Sequence, residues 1–70
     1  MNQYEKILDW IDHNGAITPM EAFMFLNITK LATRVSELIR SGEKITKRMV
    51  VKKNQMTGKT VRYMEYRRAA

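Results

Sequence analysis

The stretch TPMEAFMFLNITKLATRVSELIRSG, residues 18–42, reads as two helices joined by a tight turn. Thr18 can cap, Pro19 suits the first helical position, and Glu21 stands where a capping box needs its carboxylate. The helix opened there is short. It carries Ala22, Phe25 and Leu26 toward a core and runs into Asn27-Ile28-Thr29. Asn27 tolerates the left-handed backbone that closes one helix, and Thr29 can cap the next. From about residue 30 to residue 40, Leu31, Ala32, Val35, Leu38 and Ile39 recur on one helical face. The other face shows Lys30, Thr33, Arg34, Glu37 and Ser41, and Ser41-Gly42 ends the helix.

Upstream, Tyr4, Ile7, Leu8 and Ile11 stand at i, i+3, i+4 and i+7 with Glu5, Lys6, Asp9 and Asp12 between them, the pattern of an amphipathic helix that stops near His13-Asn14-Gly15. Ala16-Ile17 leaves room for a short extended link. Downstream of Gly42 the period becomes two: Ile45, Lys47, Met49 and Val51 alternate with Thr46, Arg48, Val50 and Lys52. A second strand is expected from about residue 59 to 66, after the polar loop Asn54-Gln55-Met56-Thr57-Gly58. In that strand Val61 and Tyr63 compete with Met64 and Tyr66 for the inward face, so its register stays open. Residues 66–70 are expected to fray.

Seventy residues make one domain, 1–70, whose folding buries roughly 60% of the unfolded chain's surface. A core of that size holds on the order of 3–5 kcal/mol and leaves little room for a deep substrate pocket. The chain has no cysteine, which excludes a disulfide framework and cysteine-ligated zinc. No apolar run approaches a membrane span, and the first residues lack the pattern of a signal peptide. His13 has no partner ligand at metal spacing and reads as a helix-end residue. Asp9 and Asp12 read as a solvated face, Ser36 and Ser41 stand in no nucleophile motif, and no Gly-rich phosphate loop occurs. Neither a catalytic site, a metal nor a cofactor is expected.

The net charge of +6 is unevenly spread. Residues 1–29 hold Lys6 against Glu5, Asp9, Asp12 and Glu21, whereas residues 30–70 hold twelve basic side chains against Glu37, Glu43 and Glu65. Such asymmetry is expected when one side of a domain faces a polyanion. The order of elements is that of a mostly α fold with a β-hairpin: three helices, the second and third forming a helix-turn-helix, and a two-stranded wing. In that geometry the third helix packs its apolar face inward and offers its polar face to the major groove of double-stranded DNA. Thr29, Lys30, Thr33, Arg34 and Glu37 are the candidate contacts there, Glu37 either accepting from a cytosine amino group or orienting Arg34. Arg48, Lys52, Lys53, Lys59 and Arg62 supply the wing's share, along a backbone or in the minor groove.

The segments Ile17 to Ala22, Asn27 to Val35 and Leu38 to Gly42, with Met49-Val50-Val51-Lys52, Gly58-Lys59 and Tyr66, resemble a family of small helix-turn-helix proteins of bacteriophages and prophages. The likeness runs from about Ile7 to Tyr66. It implies a winged-helix fold and a phage-related role on DNA, as a transcriptional regulator or recombination accessory factor in the cytoplasm of a bacterial host. The runner-up is a winged-helix module that docks on an acidic host or phage protein. Trp10, Met20, Phe23 and Met24 exceed the inward positions available to them and point to a homodimer or protein partner.

Overall fold

A computed structural model describes residues 2–69. Three helices, α1 (Gln3–Asn14), α2 (Pro19–Leu26) and α3 (Leu31–Arg40), precede the antiparallel strands β1 (Ile45–Lys53) and β2 (Thr60–Arg68). This is the expected architecture.

Local chemistry accounts for most boundaries. The Asn2 side chain accepts from the Glu5 amide and Gly15, at φ 88°, closes α1. Thr18 and Glu21 form the full capping box, an arrangement worth about 1 kcal/mol. Asn27 adopts φ 58° and turns the chain so that Ile28 falls into the core, its N–H donating to the Ala22 carbonyl at 2.9 Å. The expected cap at Thr29 is corrected: α3 starts at Leu31, its N-cap is Lys30, and no side chain caps it.

Ile7, Ile11, Ile17, Ala22, Ile28, Leu31, Val35, Leu38, Ile45 and Tyr66 form the core. Three residues expected to point inward do not. Phe25 is exposed, because an eight-residue helix turning 100° per residue has inward room for Ala22 and Leu26 alone. Its ring instead stacks on the partly buried Trp10, with centroids 5.2 Å apart. Ala32 and Ile39 lie on the exposed flank of α3 away from α1.

The register of β2 is set by Tyr66. Its N–H and C=O exchange bonds of 2.9 and 2.8 Å with Ile17, so the short link between α1 and α2 adds a bridge to the outer edge of β2. Tyr66 and Met64 therefore face the core, and Val61 and Tyr63 the opposite side. Beyond this base the hairpin extends past the helices, and Met49 and Val51, in phase with Ile45, are exposed.

The tail expected to fray from Tyr66 is instead paired to Arg68, and Ala69 N–H donates to the Lys44 carbonyl at 2.9 Å. Arg68 grips Asp12 of α1 through Nε (2.6 Å) and Nη2 (3.2 Å) and Glu43 through Nη1 (3.1 Å). Its hydrogen bond holds the Asp12 carboxyl below the ordinary carboxylate value. A depressed folded-state pKa adds stability above the unfolded value that is lost as pH falls through the folded one. In Arg68→Ala the Asp12 carboxyl is expected to titrate at higher pH, measured by NMR, and the stabilisation present above its titration range to vanish. An unshifted Asp12 means the clasp does not hold in solution.

Candidate nucleic-acid interface

At 100° per residue, the direction opposite the buried Leu31, Val35 and Leu38 is occupied by Thr33, Ser36 and Arg40, all exposed. Thr29 and Lys30 are exposed at the open N-terminus of the same helix. Arg34 and Glu37 are not freely exposed. They lie half-buried on the flank toward α1, where Arg34 Nη1 meets Glu37 Oε1 at 2.8 Å. The Tyr4 hydroxyl donates to Glu37 Oε1 at 3.1 Å and accepts from Arg34 Nη1 at 3.2 Å.

Of the two roles considered for Glu37, orienting Arg34 is the one this geometry supports. The guanidinium carries five N–H donors in a rigid fork, and the contacts to Tyr4 and Glu37 engage Nη1 alone. Nε and Nη2 remain for another acceptor. Sequence reasoning passed over Ser36 and Arg40, although the helical period alone puts them outward. It also missed Tyr4, whose link to Glu37 spans 33 residues and has no local signal.

The wing gathers its cations without pairing them. Among the described residues, none of Arg48, Lys52, Lys53, Lys59 and Arg62 has a carboxylate within ion-pair distance, whereas Arg67 and Arg68 do. The pleat divides them. Lys53 and Arg62 share the face of Met64 and Tyr66, and Arg48 and Lys52 take the other, with Lys52 Nζ 6.0 Å from the centre of the Tyr63 ring. The tip is built around Asn54: its N–H donates to the Lys59 carbonyl at 2.7 Å, and its Oδ1 accepts from the Met56 and Thr57 amides. Gly58, at φ 74°, completes the turn. Among the described residues no hydrogen bond or ion pair joins the polar face of α3 to the wing, so the two cationic regions are independent. No helix among them is long and apolar enough to cross a membrane.

A short helix packed against a second one and followed by an extended basic hairpin is the architecture of a winged helix-turn-helix. The family model for the winged helix-turn-helix domain matches residues 2–68, and the chain belongs to that family. Domains of this kind are in general non-enzymatic binders of DNA. No curated protein and no solved structure matches the chain significantly.

Proposed function

We propose that this chain binds double-stranded DNA with α3 in the major groove and the wing along the backbone or in the minor groove. The unpaired cations of the wing carry the reading: five charges held together at a cost in repulsion, none of them in an ion pair among the described residues, suit an external polyanion. Thr33, Ser36 and Arg40 line the outward face of α3 with Lys30 at its N-terminus, where Thr29 and the uncapped first-turn amides can hold a phosphate oxygen. The likeness to small phage proteins supports a transcriptional regulator or recombination accessory factor.

Binding to random duplex DNA across a salt series tests this reading. The logarithm of the association constant should fall linearly with the logarithm of salt, by roughly 0.9 per phosphate neutralised. Absence of duplex binding at low salt sinks it, and the acidic-protein partner then takes its place.

Arg34, fixed by Tyr4 and Glu37 with two donor nitrogens to spare, is the proposed base reader. Arg34→Ala should cost about 1–3 kcal/mol on a preferred site and flatten discrimination at one position. An equal loss on specific and random DNA would make Arg34 a phosphate clamp, and no loss would remove it from the interface.

A further inference from the structure

The outward face of α2 is apolar, with Met20, Phe23, Met24 and Phe25 each 59–70% exposed. It forms one wall of an open groove of about 1050 Å³ whose other wall is the outer face of β2, including Val61 and Tyr63. At roughly 200 Å² for a side chain of this size, the four residues of α2 leave on the order of 500 Å² exposed. That equals the largest patch of an ordinary monomer before β2 is counted. Covered on two molecules at once, it reaches the ~1,000 Å² that a specific interface needs.

We infer that this groove is the face through which two copies of the chain pair. Charge selects that occupant. Copies of a chain with a net charge of +6 repel one another, but the lining of the groove adds no net charge, because Glu21 and Glu65 match Arg62 and Arg67 along it. Glu65 and Arg67 already neutralise each other at 2.6 Å. An acidic partner is drawn instead to Lys53 and Lys59, unpaired cations of the wing tip outside the groove. A two-fold contact also requires a surface that complements itself. This one holds a ridge, α2, beside a groove, and as many carboxylates as guanidinium groups, so each copy offers what the other lacks. Trp10, expected in this surface, lies beneath Phe25 and is replaced in it by Phe25 and β2.

Sedimentation of the full chain without DNA, across the micromolar range, tests the pairing independently of any DNA binding. The weight-average mass should rise from one chain toward two. Phe23→Glu, and separately Met20→Glu, should each raise the dissociation constant at least tenfold, with far-UV circular dichroism unchanged because both side chains are exposed. Val51→Glu, an exposed position on the other face of the wing, should leave it unmoved and serves as the control for added negative charge. A wild-type chain that stays monomeric overturns the inference and leaves the groove to a different protein. So does a dimer that survives both α2 variants, or one that Val51→Glu weakens equally.

Discussion

Ile17→Ala is expected to remove most of the folding stability of the chain. Ile17 is fully buried, and its backbone exchanges two hydrogen bonds with Tyr66 where the α1–α2 link meets the hairpin. Removing most of such a side chain costs about 2–5 kcal/mol, partly as forfeited transfer energy and partly as the cavity left behind. A single core in a chain this small supplies only about 3–5 kcal/mol, so the substitution consumes most of it. The cavity also opens beneath Tyr66, the residue that sets the register of β2. Urea unfolding followed by circular dichroism checks the result. Met56→Ala, at the exposed wing tip, is the control and should change stability by less than about 0.5 kcal/mol. A cost below about 1 kcal/mol for Ile17→Ala would mean that the helices hold together without the bridge to β2.

What could be read in the sequence was governed by rules of short range. The Thr18–Glu21 capping box, the left-handed Asn27, and Leu31, Val35 and Leu38 on one face of α3 all depend on neighbours within a turn or two. Where a reading failed, the deciding contact was remote or space was limiting. Val61 and Tyr63 compete evenly with Met64 and Tyr66 until Ile17, 49 residues upstream of Tyr66, pairs with it and chooses the side. The end of the chain looks unconstrained until Arg68 meets Asp12, 56 residues earlier. Phe25 belongs by period to the margin of the inward stripe, and it turns out because Ala22 and Leu26 already fill the space beneath so short a helix.

The interface followed the same division. Which residues are basic, and that they gather in the wing, is a property of the sequence. How they are tied down is not. Arg34 and Glu37 have the charge and spacing of free groove contacts, but Tyr4 draws both toward α1. Arg40 has no such tether, and its outward place on α3 follows from the helical period. It lies in the last turn, away from the N-terminal end where recognition helices usually meet base edges, which is why charge and position did not single it out.

Exchanging Lys52, Lys53 and Lys59 together for Gln should weaken binding to every DNA sequence alike. The magnitude of the log–log salt slope should fall by roughly 3, about 0.9 for each phosphate that is no longer neutralised. The hairpin does not need these charges. All three side chains are exposed, and the turn is closed by Asn54 and by backbone groups rather than by ammonium groups. The one aromatic contact among them, Lys52 over Tyr63 at 6.0 Å, is an exposed cation–π pair worth about 0.5–1 kcal/mol at most. Stability should therefore change little while affinity falls, a separation that a general folding defect cannot imitate. Because the lysines lie at the tip, away from the outward face of α3, the preference for one sequence over another should persist in the variant at every salt concentration. A slope unchanged from the wild type would mean that the wing does not touch DNA. A slope reduced together with sequence preference would mean that the wing, rather than α3, does the reading.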